Sequence, residues 1–241
     1  MDLALEVGIS TKHLSFVETG RSMPSRSLVL KIAHSLKLPL RHRNSFLKAA
    51  GYASEYSEEP FNSDKMEVVR QALQRMLEKH EPYPAFVVNA AYNILMINSG
   101  YEHMIKFLVG EHVLKKYNNV YHLTFAEDGL RPYIKDWQRI QQFMLNRLLD
   151  EAASTQNSKL FLLYEEVSRL RTGEDPIDFQ IDDNLPIMNL TFEKDTITAS
   201  FFTTITTLGT PLDLTTQELR LESLFPADAA TKALIFSEGS P

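Results

Sequence analysis

A glycine followed by polar side chains near the N-terminus supplies residue types that could contact nucleic acid. Gly8 would permit a tight turn, and Ile9 and Leu14 would pack a second helix against a first, so that the polar residues between them face outward. Hydroxyl and ammonium groups on such a face can hydrogen-bond to base edges, and an aromatic ring such as that of Phe16 can touch a thymine methyl. The spacing therefore predicts a helix-turn-helix over residues 7–21.

The distribution of charge agrees with this prediction. Residues 1–52 contain eight basic and three acidic side chains, although the whole chain has a net charge of −6. An excess of positive charge confined to one segment is typical of proteins in which only that segment meets phosphate.

Hydrophobic periodicity predicts the elements that would position these residues. We expect helices at 3–7, 10–19, 25–38, 41–50, 65–79, 101–109, 132–153 and 160–170, and strands at 85–89, 94–97, 186–192 and 197–208. The N-terminal part is predicted to contain only helices, and the C-terminal part to combine antiparallel strands with helices. This order indicates the α+β class. We divide the chain into a helix-turn-helix domain at 1–52, a polar linker at 53–64 and a second domain at 65–241.

The N-terminal motif, with its tail Glu18-x-Gly20-Arg21-x-x-Pro24-Ser25, closely resembles the lambda-repressor-like (XRE) helix-turn-helix family. That resemblance implies binding to double-stranded DNA. It implies base-edge contacts from Thr11, Lys12 and Phe16, flanking positions for His13 and Ser15, and phosphate contacts from Ser10 and Arg21.

Members of that family normally have a further helix upstream, and their second helix begins before the position of Met1. We therefore expect the first helix to be missing from this sequence. Leu3, Leu14 and Leu47 would then lack a packing partner, and each exposed side chain would forfeit about 1.5–3 kcal/mol.

The C-terminal half resembles the MmyB-like regulator sensor domain from about residue 82 to 234. The matching motifs, taken in order, are Pro82-Tyr83-Pro84-Ala85-Phe86-Val87-Val88, Asn98, Leu123-Thr124-Phe125, Asp128-Gly129-Leu130, Asp136-Trp137, Phe201-Phe202, Gly209-Thr210-Pro211-Leu212-Asp213 and Phe225-Pro226-Ala227-Asp228. The resemblance implies a PAS-like fold, in which helices cover an antiparallel sheet around a mostly apolar pocket.

Ten residues of this half are expected to face that interior, and most of them must be core whether or not a cavity is present. They are Phe86, Val88, Ile94, Met96, Met104, Leu108, Trp137, Met144, Phe201 and Ile205. Their character predicts a hydrophobic small molecule, with a fatty acid as the candidate. Because no Arg or Lys stands among them, a strongly anionic group is not expected deep inside.

Other kinds of site find little support in the sequence. There is no cysteine, and Glu102-His103 and Glu111-His112 do not have the spacing of zinc ligands. Neither a phosphate-binding loop nor a nucleophile motif occurs, so we expect no catalysis, no metal and no cofactor. No apolar run is long enough to span a membrane, and we expect a cytoplasmic protein.

The leading interpretation is a ligand-responsive regulator that binds DNA as a homodimer, with the dimer contact in the C-terminal domain. Helices 65–79 and 132–153, whose apolar faces are large, are the predicted contact, although burial within one chain would explain the same faces. Two alternatives remain: a lipid- or acyl-binding module with an inactive DNA-binding head, and an enzyme on a PAS-like scaffold.

Overall fold

The computed structural model describes residues 3–155, 157–173 and 187–238, and it divides into two compact units. The first unit comprises Met1–Phe61 and Thr210–Gln217, and the second comprises Asn62–Gly209 and Glu218–Pro241. Residues 53–61, which the sequence places in a linker, thus belong to the first unit.

The first unit begins with four helices whose boundaries are set by caps. These are α1 (Leu3–Val7), α2 (Thr11–Glu18), α3 (Arg26–Ser35) and α4 (Leu40–Ala49). The Ser10 hydroxyl accepts a hydrogen bond from the backbone N–H of His13 at 3.1 Å, which begins α2. Gly8 has a φ of 76°, a left-handed conformation that turns the chain between α1 and α2.

The helix-turn-helix has a small apolar core of its own. Val7, Leu28 and Ile32 are buried, and Leu3 and Leu14 are among the side chains packed against them. Leu47 is completely buried in the structure. The expectation that Leu3, Leu14 and Leu47 would lack a packing partner is therefore wrong, because side chains of α1 and α3 pack against Leu3 and Leu14, and Leu47 is buried.

Hydrogen bonds fix the segment after α4 to the rest of the first unit. The Asn44 side chain accepts from the backbone of Glu55 and Tyr56 and donates to the carbonyl of Tyr56 at 2.8 Å. The Asp213 carboxylate in turn accepts from the Ser57 hydroxyl and from the backbone N–H of Glu59. These bonds explain why 53–61 is ordered with the helices rather than separate from them.

The second unit contains a five-stranded antiparallel sheet in the order β2-β1-β5-β4-β3. The strands are β1 (Ala85–Val88), β2 (Ile94–Ile97), β3 (Asn189–Lys194), β4 (Ile197–Thr206) and β5 (Arg220–Pro226). Phe86 is opposite Glu222, and Glu222 is opposite Ile205, so these three residues lie on the same face of the sheet. The antiparallel sheet and the α+β class are as predicted.

Helices surround this sheet, and the main apolar core lies between them and the strands. These helices are α5 (Glu67–His80), α6 (Ser99–Val109), α7 (His112–Lys116), α8 (Val120–Phe125), α9 (Trp137–Thr155), α10 (Ser158–Ser168) and α12 (Ala229–Glu238), whereas all but the last residue of α11 (Leu214–Glu218) belongs to the first unit. The core contains Tyr101 and Ile105 of α6, Phe125 of α8 and Leu148 of α9.

The hydrophobic pattern did not predict the central strand β5 or helices α7, α8, α11 and α12, and two elements that it did predict begin later in the structure. The helix expected at 132–153 begins only at Trp137, since residues 131–133 form a short 3-10 helix and Ile134 makes an isolated bridge to Phe192. The backbone N–H of Lys135 donates to Thr191, which draws this stretch towards β3. The strand expected at 186–192 begins at Asn189, and Pro186 lies outside the described residues.

The buried side chain of Asn98 joins β1 to α6. Its Oδ1 accepts from the backbone N–H of Ala85 and of Tyr101, both at 2.9 Å, and its Nδ2 donates to the carbonyl of Tyr83 at 2.8 Å. Asn98 thus caps α6 and holds the start of the sheet at the same time.

We expect Asn98→Ala to lower the free energy of unfolding by about 3 kcal/mol, because it removes a cap and leaves buried backbone groups without partners. Asn146→Ala is the matched control, since Asn146 is exposed and bonds to Gln142 on the same helix. Urea denaturation followed by circular dichroism measures both values. An equal, small effect for the two variants would contradict this role for Asn98.

Candidate functional site

Helix α2 presents the polar face that the sequence predicts. No residue of this helix is buried, and the predicted contact residues Thr11, Lys12, His13, Ser15 and Phe16 are all exposed. The Lys12 ammonium lies 5.7 Å from the centre of the Phe16 ring, so a cation and an apolar ring stand side by side on the surface.

Ser10 and Arg21 lie at the two ends of this face. The Ser10 hydroxyl caps α2, and Ser10 lies at the turn between α1 and α2. The exposed Arg21 follows α2, and its backbone N–H donates to the carbonyl of Phe16 at 2.8 Å, which closes the helix. All seven predicted residues are therefore on one short segment with solvent access.

The second unit contains a cavity of about 570 Å³, here called the larger cavity. Its apolar wall comes from α6, β3, β4 and α12 and includes Met104, Leu108, Phe192 and Phe201. A volume of this size falls within the range of small-molecule sites.

Charged groups border the larger cavity, and several are already engaged. The Lys194 ammonium donates to the carbonyls of Phe107 and Leu108 at the end of α6. The Lys106 ammonium donates to the Glu102 carboxylate at 2.8 Å, and this hydrogen bond raises the pKa of Lys106. The Glu81 carboxylate accepts from the first backbone N–H groups of α6.

A second cavity of about 240 Å³, here called the smaller cavity, shares Met104 and Phe192 with the larger one. Phe86 and Met144 also line it, and so do the two ionisable residues Arg147 and Glu222. Because Met104 has a flexible, unbranched side chain, the partition between the two cavities can adapt to an occupant.

The polar wall of the smaller cavity consists of Glu222, which is deeply buried, and Arg147, whose side chain is 34% exposed. Glu222 is 6% exposed, and burial raises the pKa of its carboxyl group, an effect that Arg147 and Arg220 oppose. The Arg147 Nη2 atom is 3.5 Å from Glu222 Oε1, yet that oxygen has no hydrogen-bond partner. A buried carboxylate oxygen without a partner is uncommon in a folded protein.

An ion pair beside this wall connects α9 to β5. Arg220 contacts both carboxylate oxygens of Glu151, and its Nη1 donates to the Tyr92 hydroxyl at 2.9 Å. Burial raises the pKa of Tyr92 to about 12, so its hydroxyl stays protonated at neutral pH.

Of the ten residues predicted for the ligand site, the structure brings five to the cavities. Met104, Leu108 and Phe201 line the larger cavity, and Phe86, Met104 and Met144 line the smaller one. The other five, which line neither cavity, are Val88, Ile94, Met96, Trp137 and Ile205.

Those five residues have different environments. Val88 is buried in the core, and Ile94 is partly buried against it. Met96 is half-buried on β2, and Trp137 packs edge-on against Phe125 while its ring N–H donates to Thr172 at 2.9 Å.

The prediction that Ile205 faces the interior is wrong, because its side chain is 45% exposed. Ile205 and Phe201 are four positions apart on β4 and therefore lie on the same face of the sheet. However, β3 pairs with β4 only from Asn189, opposite Phe202, so the end of β4 extends beyond that neighbour.

Sequence reasoning missed the polar wall. The ten residues predicted for the ligand site include no Arg or Lys, whereas Arg147 lies one turn after Met144 on α9 and lines the smaller cavity. A signal for Glu222 was present, because it is a charged residue between Leu221 and Leu224 in a short apolar segment, and a charged side chain is rarely buried without a partner.

Within the described ranges, no cluster of three or more His, Asp or Glu side chains could hold a metal ion. The same described residues include no helix that is both long and apolar enough to cross a membrane.

Both the N-terminal and the C-terminal part of the chain match models of known protein families. Residues 69–235 match the model of the MmyB-like transcription regulator ligand binding domain, which is more than half of the chain. Residues 2–42 match a helix-turn-helix family. No curated protein matches the sequence.

Proposed function

This chain belongs to the MmyB-like transcription regulators, and we propose that a hydrophobic small molecule bound in its second unit controls the binding of DNA by its helix-turn-helix. The observation that carries the proposal is the pair of adjoining apolar cavities on the helix-covered face of the sheet. Families with these two domains are DNA-binding transcription regulators with a ligand-binding domain.

The proposed DNA contacts rest on the exposed face of α2. Thr11, Lys12 and Phe16 would reach base edges in the major groove, while Ser10 and Arg21 would meet phosphates on either side. Their exposure supports this assignment, and so does the excess of basic side chains in residues 1–52.

A fatty acid is the candidate ligand because the cavity walls are aliphatic and aromatic. Met104 and Phe192 stand between the two cavities, so a flexible chain could pass from one to the other if Met104 turned aside. The burial of Leu47 and the packing of Leu14 weigh against the alternative of an acyl-binding module with an inactive DNA-binding head.

We expect DNA affinity to fall steeply with salt, with a log–log slope of about −0.9 for each phosphate neutralised. Arg21→Ala should make that slope less negative by about 0.9, whereas Lys12→Ala should cost about 1–3 kcal/mol and relax base preference at one position. Fluorescence anisotropy on a site enriched from random DNA measures both effects. Lys115→Ala, an exposed lysine of the second unit, is the control, and affinity that is insensitive to salt would refute the assignment.

We also propose that the protein binds DNA as a homodimer, with half-sites about 34–36 Å apart. Val68 and Met76 on α5 and Leu149 on α9 are exposed apolar side chains on the helices predicted for the contact. Sedimentation of the protein–DNA complex at micromolar concentration should give two chains per site. A single chain per site would exclude the dimer.

For the ligand, mass spectrometry of denatured, freshly purified protein should release a lipid-like molecule, and decanoic acid at pH 6 should raise the melting temperature. Met104→Trp should remove both effects, because the larger side chain fills the space between the cavities. Leu162→Trp, at a position 58% exposed and outside both cavities, is the control. If nothing is released and no fatty acid shifts the melting temperature, the proposed function is wrong.

A further inference from the structure

The smaller cavity combines an apolar lining with a buried carboxylate oxygen that has an ion-pair contact at 3.5 Å but no hydrogen bond. Phe86, Met144 and Leu224 supply apolar surface, and Glu222 Oε1 is buried there without a hydrogen-bond partner. Leaving such an atom unpaired costs free energy that a suitable occupant would recover. The cavity therefore favours a molecule that carries a hydrogen-bond donor next to its apolar part.

The charges around this oxygen already balance. Arg147 and Arg220 are positive, and Glu151 and Glu222 are negative when ionised. The hydroxyls of Tyr92, Tyr101 and Tyr121 also face this group, and burial raises the pKa of each, so all three are neutral. No surplus positive charge remains to compensate a second carboxylate in the cavity.

A ligand that carried only a hydrogen-bond donor would contact Glu222 but not Arg147. Arg147 also lines the cavity and carries N–H groups that can donate to a ligand oxygen. An acceptor and a donor on neighbouring atoms, as in an acyl group C(=O)–XH, would match Arg147 and Glu222 together.

We propose that the smaller cavity binds the uncharged acyl head of an apolar molecule, either a primary amide or a carboxylic acid in its protonated form, through Arg147 and Glu222. The acyl oxygen accepts from Arg147, and the N–H or O–H donates to Glu222. The inference rests on the proposed function and adds the chemistry of the head group. An ionised carboxylate is rejected because it would lie against Glu222, and like charges at that distance disfavour each other.

The experiment compares head groups on one chain length, using isothermal titration calorimetry on the full chain. Octanamide should bind at pH 8 at least about tenfold more tightly than octanoate. Octanamide affinity should change little between pH 6 and pH 8, whereas octanoate should weaken about tenfold for each unit of rising pH, because only its protonated fraction binds. Octylamine tests the opposite charge and should bind more weakly than octanamide.

We expect Glu222→Gln to change which head group the cavity prefers rather than to abolish ligand binding. The substitution removes the negative charge, so octanoate at pH 8 should bind about tenfold more tightly than it does to the wild-type protein, and its pH dependence should flatten. Glu127→Gln is the matched control, since Glu127 pairs with Arg131 at the surface and should leave all affinities unchanged.

The outcomes separate this inference from the proposed function. If octanoate binds the wild-type protein at pH 8 as tightly as octanamide, the head-group assignment is overturned although the protein still binds ligands. If the wild type shows the expected preference but Glu222→Gln does not change it, Glu222 is not the selecting group and the assignment fails. If no octyl compound binds but a lipid co-purifies, this inference fails alone, and if neither occurs the proposed function fails with it.

Discussion

Glu151 on α9 and Arg220 at the start of β5 are both largely withdrawn from water, and the second unit depends on their pairing. Because either charge would be costly to bury alone, the end of α9 must stay over the central strand of the sheet. The Tyr92 hydroxyl donates to Glu151 and accepts from Arg220, which brings the turn between β1 and β2 to the same point. One polar contact thus fixes the relative position of a helix, a strand and a turn.

The cavity follows from this arrangement. Since α9 is held at Glu151, Arg147 one turn earlier is directed to Glu222, and Met144 another turn earlier forms the apolar wall. Helix α9 therefore supplies both the polar and the apolar surface that an amphiphilic molecule would contact. Because Glu222 Oε1 is buried without a hydrogen bond, an occupant that donates to it would stabilise the protein.

Local patterns were sufficient to predict much of the fold. Gly8 and Ser10 specify a turn and a cap within a few residues of each other, so the helix-turn-helix could be read directly from the sequence. The position of Ile205 could not, since its exposure depends on where β3 begins to pair. Glu222 and Arg147 are 75 positions apart in the sequence, and no periodicity relates them; their meeting depends on tertiary packing, which also decides which apolar residues line a cavity.

The loop between β4 and β5 has a consequence for dissecting the protein. Residues 210–217 belong to the first unit, although the strands before and after them belong to the second. There the buried Leu214 donates its backbone N–H to Ser57, and Gln217 accepts from the backbone N–H of Leu40 at 2.7 Å. A fragment that starts at residue 62 would retain this loop without the surface that covers it, and a fragment that ends at residue 61 would lose part of its own core. The two units are thus not interchangeable modules, and exchanging one between relatives would require transplanting two separate stretches of the gene.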